Sequence, residues 1–310
     1  MPSADVRREV ALGGEGYPSR LAELTDPPAR LYIRGAVEAL AGPCLSIVGA
    51  RRATPYGIAV AEMAGRVAAE SGVTVVSGGA LGVDQAAGTA ALDAGGRHVV
   101  VLGCGADVTY PKSSAGLISR AIGNGGAAVS LDPWGTPPRK WAFPRRNRVI
   151  AALSEALVIT EAGLPSGTFS TAETALELGR ELLAVPGSIL SPASRGSNRL
   201  ISEGATCIAD EEALEVAVSR IYGVLRLCRS EAPAPSLPPT EARVLEALVA
   251  TPMRAEAIAR MLGTGPTECL LLLSDMSVAG LVERLRDGCF APTKSALHAR
   301  TGLGHNMGSR

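Results

Sequence analysis

Between residues 44 and 210, short apolar segments alternate with longer segments whose apolar residues recur at helical spacing. Six of the short segments are rich in Val, Ile and Leu, and most end in glycine: CLSIVGA (44–50), VTVVSGG (73–79), HVVVLGCG (98–105), AAVSL (127–131), EALVITEAG (155–163) and ELLAVPG (181–187). Continuous apolar strands that alternate with helices form parallel sheets with helices on both faces. The pattern therefore predicts an α/β fold with ligand-binding loops at the carboxyl ends of the strands.

Changes in composition predict how the chain is divided. A stretch rich in proline, alanine and serine, SEAPAPSLPPTEAR (230–243), separates the α/β region from a second periodic region with the outline of three short helices and a β-wing. That outline predicts a small C-terminal winged-helix domain. The predicted divisions are an N-terminal extension (1–43), the α/β domain (44–229), a linker (230–238), the winged-helix domain (239–293) and a disordered tail (294–310).

Composition excludes several classes of protein. The chain carries 30 basic and 30 acidic residues, so it is not a broadly basic nucleic-acid coat, and any anion site must come from local clustering. Its six cysteines form no C-x-x-C pair and it has three histidines, so we expect no metal site, no disulfide framework and a reducing, cytoplasmic location. No stretch of about 18 apolar residues is present, so we expect no membrane span.

Residues 133–154 concentrate positive charge and aromatic rings. The segment has no acidic residue and five basic ones, and it holds both tryptophans of the chain together with Phe143. Cations neutralise phosphates and aromatic faces stack unpaired bases, so this composition favours a groove for single-stranded nucleic acid. RNRVIAALS (146–154) is predicted to be a helix whose first turn presents the basic groups. The alternative is a solvated basic loop whose aromatics seal the edge of the sheet.

Glycine-containing loops follow three of the predicted strands. VGARRATPYG (48–57) places Arg51 and Arg52 just beyond the first strand, SGGALGVDQAAGTAAL (77–92) follows the second strand, and SGT (166–168) follows another. Glycines at helix starts allow phosphates to approach the backbone, so we predict a shared phosphate pocket. The alternative is a set of ordinary tight turns. Neither long loop fits the dinucleotide or P-loop pattern, so we expect no nucleotide cofactor.

Groups suited to catalysis are sparse. No predicted strand end carries paired carboxylates, and no His/Cys nucleophile pair is present. Glu173 could act as a general acid or base, but a charge that complements the helix dipole is the favoured interpretation. Asp84 is interpreted as a residue that braces its loop. A sheet edge rich in phosphate binders and poor in catalysts predicts a binding protein and not an enzyme.

The expected recognition helix of the winged-helix domain has the wrong charge for DNA. The segment TGPTECLLLLSDMSVAGLV (264–282) has no lysine or arginine and contains Glu268 and Asp275. A helix that reads the major groove needs basic and amide side chains. We therefore expect a structural or protein-contact role, and a sequence-specific duplex-DNA regulator is the disfavoured alternative.

Taken in order, six motifs are similar to those of the DNA-processing protein A family (DprA, also called Smf): VGARRATPYG, SGGALGVDQAAGTAAL, VVVLGCGADVTYP, FPRRNRVIAALS, PSGTFSTAETALELGRELLAVPG and GSNRLISEGA. The resemblance covers about residues 17–210 and the winged-helix domain. It implies an extended Rossmann-like parallel sheet, usually in a homodimer, that binds single-stranded DNA without nucleotide hydrolysis. It further implies that the protein protects incoming strands and loads the RecA recombinase onto them during natural transformation or recombination.

The resemblance also implies which residues contact DNA. Arg51 matches a phosphate-binding arginine, while Lys140 and Phe143 fall where the family places a phosphate-binding lysine and a base-stacking aromatic. One departure is Gly88, which stands where many members have a histidine. The other expected nucleic-acid-binding residues lie in the glycine loops and in the R-N-R motif: Arg52, Ser77, Gly78, Gly79, Arg146, Asn147, Arg148, Ser166 and Gly167.

An enzyme is the alternative. Nucleotide phosphoribohydrolases of the lysine-decarboxylase-like (LOG) group carry P-G-G-x-G-T-x-x-E, which PSGTFSTAE (165–173) resembles loosely, with Glu173 as the would-be catalytic carboxylate. Ser166 and Gly167 stand in place of the first two glycines of that motif.

Overall fold

The computed structural model describes residues 6–225, 237–293 and 295–297, and all six predicted strands form in it. In the described residues the main sheet has nine strands: β1 Arg7–Ala11, β2 Arg30–Gly35, β3 Cys44–Val48, β4 Thr74–Ser77, β5 His98–Leu102, β6 Ala127–Ser130, β7 Ala156–Ile159, β8 Glu181–Ala184 and β9 Thr206–Cys207. Their order is β1-β2-β6-β5-β4-β3-β7-β8-β9. Strands β3 to β9 are parallel and β1 and β2 are antiparallel additions, so the predicted Rossmann-like parallel sheet is confirmed.

The sheet grows in two directions from β3, with β4, β5 and β6 on one side and β7, β8 and β9 on the other. The helices that connect the parallel strands are α1 Pro55–Glu70, α2 Val83–Asp93, α3 Ala115–Gly123, α4 Ala142–Leu153, α5 Thr168–Glu177 and α6 Arg195–Ser202, and α7 Glu211–Tyr222 follows β9. A helix that follows a parallel strand begins near the carboxyl end of that strand. The N-termini of α1, α2, α4 and α5 therefore lie along one edge of the sheet, which we call the carboxyl edge, and open α/β sheets bind ligands there.

Each central strand is buried on both faces. In β7, Leu157 and Ile159 belong to the hydrophobic cluster that contains Ile150 of α4. The alternate residue Val158 belongs to the cluster that contains Val67 of α1. Successive side chains of a strand point to opposite faces, so a strand covered on both sides is mainly apolar along its whole length.

Residues from the predicted N-terminal extension complete the same sheet. β2 pairs antiparallel with β6, with Ile33 opposite Val129, and β1 pairs antiparallel with β2. Leu31 and Ile33 are fully buried. Residues before and after position 43 contribute strands to the same sheet. The domain boundary at residue 43 therefore stays a prediction.

Residues 237–293 form three helices and a β-hairpin, which confirms the predicted winged-helix domain. The elements are α8 Pro239–Ala250, α9 Ala255–Leu262, α10 Pro266–Val278, and the antiparallel strands β10 Val282–Arg284 and β11 Phe290–Pro292. Leu245, Ile258 and Leu273 help to form a separate core for this domain. The third helix, α10, exposes Leu270 and Leu271 to solvent.

Three residues of the predicted tail, 295–297, belong to the described part of the chain. The structure describes residues 295–297 as helical, and Ala296 and Leu297 are buried. The expectation of disorder is wrong for these three residues, because Ala296 packs into the core of the C-terminal domain. The rest of the predicted tail, and the predicted linker before residue 237, lie outside the described residues. Among the helices of the described residues, none combines the length and the apolar character that crossing a bilayer requires.

Candidate nucleic-acid interface

The helix in the basic segment, residues 133–154, begins earlier than predicted. α4 begins at Ala142, whereas the sequence pattern predicts a start at Arg146. Pro144 lies in the first turn, where a missing N–H is tolerated because first-turn amides have no partner within the helix. The first turn therefore carries Phe143 to the carboxyl edge, and Arg146 falls in the second turn. The expectation that the R-N-R motif forms the first turn is wrong.

Arg146 is buried beneath the carboxyl edge. It is only 4% exposed, and its Nη1 donates to the carbonyl oxygen of Val101, at 2.5 Å. Its guanidinium lies against Gly78, where an added Cβ would overlap it. Burial lowers the pKa of Arg146, and the negative charge of Asp84 opposes that effect. Among the described residues, the Nε of Arg146 has no hydrogen-bond partner.

Asp84 braces the loop that follows β4, as the sequence predicts. Its Oδ2 accepts hydrogen bonds from the backbone N–H groups of Gly78, at 3.1 Å, and Ala80, at 3.3 Å. Burial raises the pKa of Asp84, while the positive charge of Arg146 acts in the opposite direction. The loop is therefore held between a buried carboxylate and a buried guanidinium whose charges compensate each other.

The ring of Phe143 lies close to two of the arginines predicted to bind nucleic acid. The Cζ atoms of Arg51 and Arg146 lie 5.6 Å and 6.0 Å from the ring centroid, within the range of cation–π attraction. The ring packs over Gly103, where an added Cβ would lie 2.9 Å from it. Tyr110 completes the group, with its ring centroid 5.8 Å from that of Phe143 and a tilt of 45°. We call Arg51, Tyr110, Phe143 and Arg146 the aromatic–cationic cluster.

Tyr110 is a member of this cluster that the sequence analysis did not single out. It follows β5 in the motif VTYP, on a loop that leaves the carboxyl end of a strand, and it is 46% exposed. An aromatic residue in such a loop is a signal that could have identified it, since aromatics are scarce in this chain: 2 Trp, 5 Tyr and 3 Phe.

The other predicted residues of the basic segment and of the first two loops differ in exposure. Arg52 and Lys140 are exposed, and Asn147 and Arg148 are half-buried. Ser77 is fully buried, and its hydroxyl donates to a backbone carbonyl of β3, at 2.8 Å. Ser77 therefore supports the loop through the backbone, while the exposed cations face solvent at the carboxyl edge.

The structure brings the three glycine-containing loops together. The N–H of Val83 donates to the carbonyl of Ala50, at 3.2 Å, which joins the loops after β4 and β3. The N–H of Ala50 in turn donates to the carbonyl of Glu161, at 2.8 Å, which joins the loops after β3 and β7. Ser166 and Gly167 lie farther along that third loop, immediately before α5. A common edge for the three loops is thus established, as the strand order requires.

Trp134 seals the outer edge of the sheet. Its Nε1 donates to Glu9 of β1, at 3.0 Å, and its ring stands edge-on to Tyr32 of β2, with the centroids 5.5 Å apart. The Cζ of Arg7 lies 5.3 Å from the centroid of the same ring. Trp134 therefore packs against the edge of the sheet, as the alternative interpretation of residues 133–154 expects.

The surroundings of Glu161 and Glu173 are relevant to the alternative hypothesis that the protein is an enzyme. A cavity of about 400 Å³ between the α/β region and the C-terminal domain is lined in part by Glu161. Burial raises the pKa of Glu161, but its oxygens accept hydrogen bonds from the N–H and Oγ1 of Thr54, at 2.7 Å and 2.6 Å, at the start of α1. Glu161 is therefore engaged as a helix-capping group. Glu173 is exposed on α5.

Comparison with known proteins identifies two family models in the chain. Residues 9–218 match the model described as DNA recombination-mediator protein A, and residues 229–288 match that of the DprA winged helix domain. The chain is 40% identical over 207 residues to Protein Smf of Escherichia coli (strain K12), an alignment that covers 66% of this chain and 55% of that protein. The chain thus spans little more than half the length of this relative.

Two solved structures share the fold. DNA processing protein A from Streptococcus pneumoniae is 36% identical, with a TM-score of 0.63 over 67% of this chain and 73% of that one. DNA processing protein A from Helicobacter pylori, described for its single-stranded DNA binding mode, is 31% identical, with a TM-score of 0.64 over 71% of this chain and all of that one.

Proposed function

Because this chain belongs to the DNA recombination-mediator protein A family, we propose that it is a single-stranded DNA-binding recombination mediator without a catalytic step. It binds incoming single strands in the cytoplasm, protects them from nucleases and loads a RecA-type recombinase onto them. The relative from Helicobacter pylori, described for its single-stranded DNA binding mode, supports the DNA-binding part of this proposal.

The aromatic–cationic cluster is the observation that carries the proposal. An unpaired base has a free face that can stack on the rings of Phe143 and Tyr110, whereas the bases of a duplex are already stacked on one another. Base–aromatic stacking contributes about 1–3 kcal/mol per base and tolerates any sequence. Arg51 lies beside the same ring and would meet the phosphate that follows the stacked base.

The exposed cations around the cluster supply the phosphate contacts of the proposal. Lys140 and Arg52 are exposed at the carboxyl edge, and Arg148 is half-buried in the second turn of α4. Each cation that neutralises a phosphate releases counterions, so binding weakens with salt. Asn147 beside Arg148 adds a side-chain amide that can bond to a phosphate or a base.

Backbone N–H groups at helix starts supply further anion contacts in the proposal. Gly79 precedes α2, and Ser166 and Gly167 precede α5. The N–H of Gly78 is already bonded to Asp84, so this glycine contributes by leaving room for Arg146. Helix N-termini attract phosphates because their first N–H groups are unpaired and the helix dipole is positive there. Ser77 and Arg146 act by holding these loops in place.

The proposal is tested by fluorescence anisotropy of a labelled, unstructured oligonucleotide and of its duplex, measured over a salt series. We expect tight, salt-sensitive binding that prefers the single strand. Combined substitution of Arg51→Ala and Lys140→Ala should weaken binding and reduce the slope of log K against log salt by about 0.7 per lost phosphate contact.

Arg220→Ala is the matched control, because Arg220 is also an exposed arginine but pairs with Glu181, at 3.1 Å, at the first residue of β8 and so at the opposite edge of the sheet. Equal affinity of the double variant and the control would contradict the proposed site. Equal, weak binding of single strand and duplex would contradict the proposed function.

The proposed recombinase partner and the proposed homodimer are each tested separately. Recombinase loading predicts that the protein accelerates assembly of a RecA-type recombinase on oligonucleotide coated with single-strand-binding protein, and that the Arg51/Lys140 variant fails to do so. We also propose a homodimer, for which sedimentation over a concentration series should give twice the mass of 31.7 kDa. A monomer at every concentration would contradict that assembly.

A further inference from the structure

The second tryptophan of the basic segment is open to solvent at the start of α4. Trp141 occupies the N-cap position of the helix and is 54% exposed. Trp134, only seven positions earlier, is half-buried and bonded to Glu9. Tryptophan is highly buried on average, so an indole ring exposed at a ligand-binding edge indicates a surface that a ligand covers.

Two arginines position the ring of Trp141. The Cζ atoms of Arg145 and Arg139 lie 5.0 Å and 5.9 Å from its centroid. Arg145 is four residues after Trp141, on the same side of the helix, and its guanidinium is paired with the buried carboxylate of Asp132. The ring is therefore oriented before any ligand arrives, which lowers the entropy lost on binding.

Trp141 and Phe143 point away from α4 in different directions. Residues two apart on a helix are separated by about 200° around its axis, at 3.6 residues per turn. Phe143 lies beside Arg146, on the side that faces the glycine-containing loops, and Trp141 lies beside Arg145. One helix start thus carries two separate aromatic–guanidinium pairs.

We propose that Trp141 is a second base-stacking site, which receives one unpaired base while another base of the same strand contacts Phe143. This inference rests on the proposed function, because it requires single-stranded DNA at the carboxyl edge. Every base has a π-face, so the site accepts any sequence. Arg139 and Lys140 are exposed and directly precede Trp141, so they meet the phosphates that flank its base.

Intrinsic fluorescence tests the inference, because the chain has only two tryptophans. In the full-length Trp134→Phe variant, all tryptophan emission comes from Trp141, and in Trp141→Phe it comes from Trp134. We expect an oligothymidylate to quench most of the emission of Trp134→Phe and little of that of Trp141→Phe. Anisotropy of the labelled oligonucleotide, measured on the same samples, reports binding independently.

The two measurements separate the possible failures. If anisotropy shows binding by Trp134→Phe while its emission is unchanged, the stacking site is wrong and the proposed function stands. If the unsubstituted protein gives no anisotropy change, both are wrong.

Affinity gives a second test of the stacking site. Trp141→Ala should weaken binding about 5- to 140-fold, and Trp141→Phe should recover most of the loss, since a smaller ring still stacks. Equal affinity of Trp141→Ala and the unsubstituted protein would overturn the inference. The exposed position of Trp141 means that folding, checked by circular dichroism, should be unchanged.

Discussion

The guanidinium of Arg146 occupies the space in which a side chain at residue 78 would lie, so Gly78 and Arg146 fit together only because the first has no Cβ. Arg146 also bonds to the carbonyl of Val101 and lies beside Phe143. The loop after β4, the end of β5 and the start of α4 are therefore fixed to one another through a single buried arginine.

A methyl group at Gly78 should disturb this arrangement. We expect Gly78→Ala to lower the free energy of unfolding by about 1–3 kcal/mol, because the buried guanidinium must move and overpacked sites typically cost that much. Single-strand affinity should fall as well. Denaturant unfolding and anisotropy measure the two effects. Gly116→Ala is the control, since that glycine lies within α3 with nothing within 4 Å of an added Cβ, and it should be neutral or stabilising.

Asp84 and Arg146 should be energetically coupled. Asp84→Asn leaves a buried guanidinium without its opposite charge, and we expect a loss of about 3–5 kcal/mol in the free energy of unfolding. Arg146→Met should be similarly harmful by itself. The double variant should lose up to about 3 kcal/mol less than the sum of the losses in the two single variants. A double-mutant cycle from denaturant unfolding measures this, and strict additivity would mean that the charges act independently.

His98 predicts how stability depends on pH. Burial lowers the pKa of His98 to about 4, while its Nδ1 bonds to the carbonyl of Val75, at 3.0 Å. The unfolded chain, with a pKa near 6.5, then binds the proton more readily than the folded one. Stability should be greatest above about pH 6.5 and fall as the pH drops towards 4, by about 3 kcal/mol at 1.36 kcal/mol per pKa unit.

Unfolding of the unsubstituted protein and of His98→Gln from pH 7.5 to 4 checks this expectation. The substitution should flatten the pH dependence over that range. Parallel curves for the two proteins would show that another group causes the acid sensitivity.

Glu173 should be dispensable for binding of single-stranded DNA. Its side chain is exposed on α5, so Glu173→Gln should leave single-strand affinity within about twofold, the range usual for a surface change. Neither the unsubstituted protein nor this variant should release free base from nucleoside monophosphates, as detected by chromatography. Release by the first and not by the second would restore the phosphoribohydrolase hypothesis.

The sequence predicts the centre of the fold better than its edges. The six central strands form where the apolar runs lie, because strands buried on both faces are mainly apolar along their whole length. β1 is exposed at four of its five residues, and β9 has two exposed residues, so neither carries an apolar pattern to detect. The start of α4 is missed because Pro144 suggests a break, although proline is acceptable in a first turn.

The candidate site is predictable in composition but not in orientation. The run of arginines in residues 145–148 indicates an anion site, but a pattern of letters does not distinguish an arginine that faces solvent from one that faces a backbone carbonyl. Arg146 proves to be buried and Lys140 exposed. Gly88 illustrates the same limit, because it becomes understandable only from the structure, where an added Cβ would lie 2.5 Å from Nε2 of His98.

The location of a bound strand tests the central claim most directly. An oligonucleotide that carries 5-iodouracil should be photo-crosslinked to the full-length protein, and the attached peptides identified by mass spectrometry. The proposed site predicts attachment within residues 139–148 or at Tyr110, and loss of most attachment when Phe143 is replaced by alanine. Attachment confined to residues 239–293, unaffected by Phe143→Ala, would contradict the proposed site and assign the DNA to the winged-helix domain.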